Sequence, residues 1–216
     1  MENLKDALSK FKGASNETEL QTEFRKLAPI FLYGGYIDVR GVYKVYIKTV
    51  EFYFHSEEEK GIHDPIVYHR NGRDLENVPY FPLMTLHAHN SGFDITFESE
   101  AGKYRASALI RSYEVKDKAG KYLIWNTENK RFVSQDKYGF NKQSTYLYAL
   151  LNGYSLNEKN DIKWQPDNTI KQSKEPSEDV RKNVFESESE WEYKPLKVPK
   201  AKLLNRKWSF TREDQL

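Results

Sequence analysis

The sequence predicts a single α+β domain with a curved, mainly antiparallel sheet, a barrel-like core and a few flanking helices. Two patterns support this fold class. Apolar residues recur at a helical period near the N-terminus, and long strand-like runs rich in Val, Ile, Tyr and Phe follow in the middle of the chain. The length of 216 residues suits one domain, and 15 Tyr and 12 Phe residues indicate a core built largely of rings.

Two helices are expected first. One is predicted within residues 1–15, an N-terminal extension in which apolar residues recur every three or four positions up to Gly13. The second is predicted to begin after Asn16, where acidic residues follow at once, and to be bounded by Pro29 and the glycine pair at 34–35.

Long strands are expected from Tyr36 onwards. The strand regions predicted are Tyr36–His55, Leu83–His89, Phe93–Glu98 and Ala106–Val115, with a long polar connection at 56–82. In the run VYKVYIKTVEFYFH alternate residues share a face, which places Glu51 on the same face as Val45 and Ile47. A carboxylate there is partly desolvated, as a general acid or base requires, or it is paired with Arg or Lys at a strand end.

Arg111 interrupts the apolar run ASALIRSY, so it is either part of an ion-paired structure or a substrate contact. Weaker patterns follow Gly120. They predict a hairpin from Tyr122–Trp125 and Arg131–Val133, a helix at Ser144–Asn152 closed by Gly153, an irregular or mobile segment at 166–190, and a return to strand at Trp191–Arg212.

The composition excludes several classes of protein. The chain has no cysteine, which rules out disulfides, thiolate zinc sites and a cysteine nucleophile. It contains no P-loop or GxGxxG motif, no apolar run of membrane-spanning length and no signal peptide, so an intracellular protein, cytoplasmic or nuclear (or in the nucleoid), is expected. The net charge of +2 does not itself indicate nucleic acid, but the basic stripe 194–212 either follows a phosphate backbone or balances the acids before it.

All five histidines lie between His55 and His89, which indicates a site. One interpretation is a metal centre on the His87-Ala88-His89 pair; His63, Asp64, His69 or Asp94 would complete it. Another is hydrolysis at a sugar carbon. For that chemistry Glu51 activates water and Tyr53 forms a wall, and the polar residues are His63 or His69, His89 and Arg111.

The order of several motifs resembles the alkyladenine (3-methyladenine) DNA glycosylases. The matched segments are Leu27-Ala28 to Gly34, Glu51-Phe52-Tyr53, His63-Asp64, His69–Arg73, Thr85–His89, Asp94-Ile95, Ala108–Ser112, Gly139–Leu150, Trp191, Lys194–Leu196 and Trp208-Ser209. The resemblance runs, with gaps, from Leu27 to the C-terminus and implies a mixed, strand-rich single domain. Where the family has a Tyr-Gly wedge this chain reads Asn90-Ser91-Gly92-Phe93, so the wedge is either lost or moved to Phe93.

The resemblance implies a monofunctional glycosylase without cofactor or metal. Glu51 is expected to activate the water that displaces a flipped base, and Arg111 to hold the water or the base edge. The expected base-binding residues are Tyr53, one of His63 and His69, His89 and Asp94. The expected DNA contacts are Arg70, Arg73, Lys142, Lys200, Lys202, Arg206 and Lys207.

The expected partner is double-stranded DNA with an altered base, and the chain is expected to be a monomer that does not bind membranes. Two alternatives stay open. One is a catalytically inactive nucleic-acid-binding or interaction module of the same fold, and the other is a metal-dependent hydrolase that uses the histidine cluster.

Overall fold

The computed structural model confirms the predicted fold class: three helices flank a curled, antiparallel half-barrel sheet in a single domain. The structure describes residues 3–64, 66–67, 79–89, 92–142, 144–151, 162–182, 191–192, 197–198 and 203–213. Within these residues no helix is long and apolar enough to cross a membrane.

Both predicted N-terminal helices are present, as α1 (Leu4–Lys10) and α2 (Glu17–Tyr33). The Asn16 side chain caps α2 by accepting a hydrogen bond from the backbone N–H of Glu19 (3.0 Å). This cap explains why the short polar stretch between the helices ends where the sequence predicted.

The prediction that Pro29 bounds the second helix is wrong. Pro29 lies inside α2, which continues for one further turn to Tyr33 and ends at the predicted glycine pair, with Gly34 as its C-cap. All four residues of that turn, from Ile30 to Tyr33, are buried. Proline inside a helix costs about 3 kcal/mol, whereas each large apolar side chain that is fully buried contributes about 1.5–3 kcal/mol. Packing of the last turn therefore outweighs the local preference.

The third predicted helix is shorter than expected. It begins as a 3₁₀ turn at Ser144–Leu147 and continues as α3 (Tyr148–Leu151). Gly153, its predicted end, lies outside the described residues.

Twelve strands lie within the described residues. They are β1 (Gly35–Val39), β2 (Tyr43–Ser56), β3 (Leu86–His89), β4 (Gly92–Thr96), β5 (Tyr104–Asp117), β6 (Tyr122–Asn126), β7 (Arg131–Gln135), β8 (Ile162–Pro166), β9 (Ser177–Asp179), β10 (Trp191–Glu192), β11 (Lys197–Val198) and β12 (Ser209–Thr211). The predicted strands in the middle of the chain and the predicted hairpin, β6–β7, are thus confirmed, with ends shifted by up to three residues.

The long strand β2 is the centre of the sheet. On one side β5 pairs along its whole length, and on the other side β1 pairs with its first part and β12 with its middle. The strands β4 and β3 extend the sheet beyond β5, β8 extends it beyond β1, and β9 extends it beyond β12. The β6–β7 hairpin continues from the end of β5, and β10 and β11 pair separately.

The main core consists largely of rings, as the composition predicted. Phe52 stacks on Phe24 with 4.6 Å between ring centres and meets Phe31 and Phe210 edge to face, at 5.6 Å each. The N-terminal extension belongs to this core, because Phe11 packs on Phe24 at 6.2 Å. The core therefore joins both N-terminal helices to the centre of the sheet.

The predicted irregular segment 166–190 is partly ordered structure. It contains β9, which pairs with β12, and it contains Arg181, whose side chain is fully buried. The region Trp191–Arg212 returns to strand only in part, since a helical turn at 203–204 separates β11 from β12.

Candidate functional site

Two β-bulges interrupt the pairing of β2 with β5 near the middle of both strands. The Cα partners run Ile47–Tyr113, Thr49–Ser112 and Val50–Ile110. Lys48 on β2 and Arg111 on β5 are therefore the extra residues of the two bulges. Bulges change the direction of side chains and are frequent beside active sites.

The bulges reverse the alternation of β2. Val45 and Ile47 belong to the main core before the bulges, whereas Val50 and Phe52 belong to it afterwards. Glu51 therefore lies on the opposite face from Val45 and Ile47, and the prediction that they share a face is wrong. One extra residue shifts a period-2 pattern by one position. The spacing of three between Ile47 and Val50 was a signal of this shift in the sequence.

Glu51 is nevertheless buried, with 2% of its surface exposed. Its Oε2 accepts hydrogen bonds from Arg111 Nε (2.7 Å) and from the Tyr53 hydroxyl (3.1 Å). Its Oε1 accepts one from the backbone N–H of Lys182 (3.1 Å). The structure thus brings the two residues predicted to be catalytic, Glu51 and Arg111, into direct contact with Tyr53, which was predicted to bind the base.

Burial and the neighbouring charges shift the pKa values of Tyr53 and Arg111. Burial raises the pKa of Tyr53 well above the ordinary value, and the Glu51 carboxylate raises it further. The phenol therefore keeps its proton at neutral pH and donates it to Glu51. Burial acts to lower the pKa of Arg111, but the adjacent carboxylate holds it above the ordinary value. Arg111 is therefore a fixed positive charge beside the carboxylate.

Asp94 and His89 lie beside this group, on β4 and β3. Leu109 on β5 pairs with Glu51 on β2 at one side and with Asp94 on β4 at the other, so the three residues form one row across the sheet. Asp94 is fully buried and its charge acts on Arg111, while His89 Nε2 lies 3.1 Å from Asp94 Oδ2. We call the following residues the Glu51 cluster: Glu51, Tyr53, His89, Asp94 and Arg111.

His63 and His69 are the other two histidines that were predicted to bind the base. His69 lies outside the described residues. His63 lies beside His55, with 5.4 Å between ring centres, and its Nε2 is 3.0 Å from the backbone oxygen of Glu59. Across the part of the chain that the structure describes, no group of three or more His, Asp, Glu or Cys residues is placed to hold a metal ion.

Sequence reasoning missed Arg181, whose guanidinium lies 4.5 Å from the centre of the Tyr53 ring. Its Nη1 and Nη2 donate to the two carboxylate oxygens of Asp64, at 2.5 and 3.2 Å, and both side chains are fully buried. Asp64, considered a possible metal ligand, is therefore the partner of a buried ion pair. Arg181 stands in a polar stretch without apolar periodicity, so no local pattern marks it as buried.

Only three of the seven residues predicted to contact DNA lie in the described part of the chain. Arg70, Arg73, Lys200 and Lys202 lie outside the described residues. Lys142 and Lys207 are exposed. The prediction that Arg206 belongs to an exposed basic stripe is wrong, because it is 2% exposed and donates to Glu17 Oε1 (2.6 Å) and to the backbone oxygen of His63 (2.7 Å).

The hypothesis that the wedge has moved to Phe93 is also wrong. Phe93 is fully buried in the main core, so it is not presented to a DNA stack. Asn90 and Ser91, which precede it, lie outside the described residues.

Acid should destabilise the fold through His55. Burial lowers the pKa of His55 to about 4, and its Nδ1 accepts a hydrogen bond from the backbone N–H of Asp64 (3.1 Å). Histidine in the unfolded chain has a pKa of about 6.5, so the unfolded state binds the proton first. Stability is therefore lost as pH falls from about 6.5 towards 4. Between pH 7 and 4.5 the wild type should lose about 2–3 kcal/mol more unfolding free energy than His55→Asn.

Urea unfolding of both proteins at the two pH values measures this difference. The Asn side chain keeps an acceptor near the position of Nδ1 but does not titrate, and the carboxylates are common to both proteins. Equal losses in the two proteins would show that His55 is not the responsible group.

The chain matches no family model, no curated protein and no solved structure.

Proposed function

We propose that the chain is an N-glycosyl hydrolase that removes an altered base from DNA, like the glycosylases it resembles in motif order. The observation that best supports the proposal is the direct contact of Glu51 with Arg111 and Tyr53 inside one buried cluster. Hydrolysis of a sugar–base bond needs a carboxylate that takes a proton from water. It also needs polar and ring side chains that hold the base, and the Glu51 cluster contains both kinds.

In the proposed reaction Glu51 accepts a proton from a water molecule whose oxygen bonds to C1′ of the sugar. The C1′–N bond breaks, its electron pair leaves with the base, and the base takes up a proton from solvent. Arg111 holds the water or the edge of the base, while Tyr53 and His89 form its walls. The base must leave the duplex to reach these side chains, so the proposal includes base flipping.

Arg111 and His89 set the direction from which the substrate arrives. The Arg111 side chain is 17% exposed and that of His89 is 9% exposed, whereas the Glu51 side chain is 3% exposed. The flipped base therefore enters over Arg111 and His89, and Glu51 lies beneath it.

Base release tests the proposal. Duplexes that each contain one altered base are incubated with the protein, and alkali then cuts the strand wherever a base is missing. The wild type should release at least one base, and Glu51→Gln should release it about 10²–10⁴-fold more slowly, because Gln keeps the size but does not take a proton. Failure of the wild type on every base, or full activity in Glu51→Gln, would contradict the proposal.

Glu57→Gln is the matched control. Glu57 accepts hydrogen bonds from Arg105 Nε (2.8 Å) and the Tyr80 hydroxyl (2.5 Å), so it has the same kinds of partner as Glu51. This variant should release bases at the wild-type rate. A similar loss in both variants would indicate a general effect of breaking a Glu–Arg pair.

A second candidate function is a nucleic-acid-binding or interaction module without catalysis. The burial of Glu51 and its three hydrogen-bond donors favour it, because these contacts also describe a structural ion pair. In that case the wild type binds DNA in a salt-dependent manner, releases no base, and keeps its affinity in Glu51→Ala.

A further inference from the structure

A continuous row of rings and lysines crosses the sheet from β1 to the segment after β7. In order of contact its members are Lys44, Tyr36, Tyr46, Lys116, Tyr122, Tyr138, Phe140 and Lys142. Neighbouring members lie 4.7 to 6.3 Å apart, measured between ring centres or from ammonium to ring centre. We call these residues the ring–lysine row.

The row lies on the face of the sheet that is turned away from the main core. On β2, Lys44 and Tyr46 alternate with Val45 and Ile47, which belong to the core. On β5, Lys116 follows the core residue Val115. The Glu51 cluster lies on the same face of the sheet beyond the two bulges, so the row and the cluster occupy different parts of one face.

The row contains exposed rings. Tyr138 is 46% and Phe140 is 40% exposed, and among the described residues the only other large apolar side chain with such exposure is Val42. Single exposed apolar side chains are ordinary on a soluble protein, but two adjacent exposed rings flanked by lysines indicate a contact surface. Lys44 and Lys142 are exposed as well, at the two ends of the row.

Acidic side chains near the row are engaged within the fold. Asp167 accepts hydrogen bonds from the Tyr46 hydroxyl (3.3 Å) and from the Thr169 hydroxyl (2.6 Å). Asp38 accepts one from the backbone N–H of Gly41 (3.1 Å) in the turn before β2. A third carboxylate, Glu114, is 3% exposed, lies 3.5 Å from the ammonium of Lys48 and interacts with Tyr46 and Tyr138 of the row. These carboxylates have donors or a lysine within the fold as partners, whereas the exposed ammonium groups of Lys44 and Lys142 lie at the two ends of the row.

We propose that the ring–lysine row binds single-stranded nucleic acid. Such a strand offers phosphates for ammonium groups and bases for exposed rings, and proteins that bind it combine these two kinds of contact. Cation–π contacts place each lysine of the row beside a ring, and the two exposed rings, Tyr138 and Phe140, lie next to Lys142 at one end of the row. A protein partner would instead favour a contiguous apolar patch. The proposal does not depend on hydrolysis at Glu51.

Fluorescence anisotropy with a labelled oligothymidylate tests the proposal. The wild-type protein should bind it, with affinity that falls as salt rises. The double variant Tyr138→Ala, Phe140→Ala should bind about tenfold more weakly or worse, because each lost stacking contact weakens binding appreciably. Lys142→Gln should weaken binding and reduce the slope of log affinity against log salt by about 0.7, as expected for one lost phosphate contact to a single strand.

Lys5→Gln is the matched control, since it removes an exposed lysine on α1, a helix that packs on the main core and not on the face that carries the row. It should bind like the wild type, and unchanged thermal unfolding of all variants shows that they fold. The proposal is overturned if the oligonucleotide does not bind at low salt, or if the row variants bind it normally. It is also overturned if polyphosphate, which has no bases, displaces the oligonucleotide at equal phosphate concentration. The assay contains no altered base, so its result is separate from that of the base-release experiment.

Discussion

Asp64→Leu is expected to unfold with a free energy about 3–5 kcal/mol below that of the wild type. The substitution removes one partner of an ion pair in which both side chains are fully buried. Burial acts to lower the pKa of Arg181, but the Asp64 carboxylate holds it above the ordinary value. Arg181 therefore stays charged in the folded wild type, and in the variant its charge is buried without this partner. Urea unfolding at pH 7 measures the loss.

The double variant Asp64→Leu, Arg181→Met should recover much of this stability. Well-packed apolar residues often replace a buried ion pair with little loss, whereas removal of one charge leaves the other uncompensated. Losses that simply add in the double variant would show that the two residues are not coupled. Glu178→Gln is the control, because its partner Arg25 is 56% exposed and such a pair contributes only about 0–1 kcal/mol.

The elements of the fold could be predicted where the pattern is local. The caps and apolar periods of α1 and α2, and the alternation in β2 and β5, depend on neighbours a few residues away. The glycine pair at 34–35 marked the end of α2 correctly, since Gly34 is its C-cap. The continuation of the helix past Pro29 could not be predicted, because proline opposes it locally and only burial of the last turn explains it.

The bulges show the limit of strand patterns. Alternation along one strand assumes regular pairing, but the faces of β2 reverse at Lys48 because β5 pairs out of register there. Glu51 was predicted to be desolvated for an incorrect reason. It is buried on the face away from the main core, where Leu109, Ile66 and other apolar residues form a second cluster.

The candidate site could be predicted only where its residues lie on strands. Glu51 and Arg111 stand out in the sequence as charged residues within apolar strand patterns, and Tyr53 lies two positions after Glu51. In the structure Glu51 contacts both Arg111 and Tyr53. Arg181 stands 117 residues from Asp64 in the chain, and nothing local in either segment indicates that they pair. Long-range electrostatic pairs of this kind depend on the folded arrangement of the whole sheet.

Phe52→Ala should cost about 3–5 kcal/mol of unfolding free energy. Phe52 is fully buried and its ring contacts Phe24 and Phe31 of α2 and Phe210 of β12, so its loss opens a cavity between the helix and two strands. Phe52→Leu keeps most of the apolar volume and should cost clearly less than Phe52→Ala. Phe140→Ala, at an exposed phenylalanine, should change stability by less than about 0.5 kcal/mol. Denaturant unfolding of the three variants decides whether the ring core holds α2 to the sheet, because similar losses at Phe52 and Phe140 would contradict it.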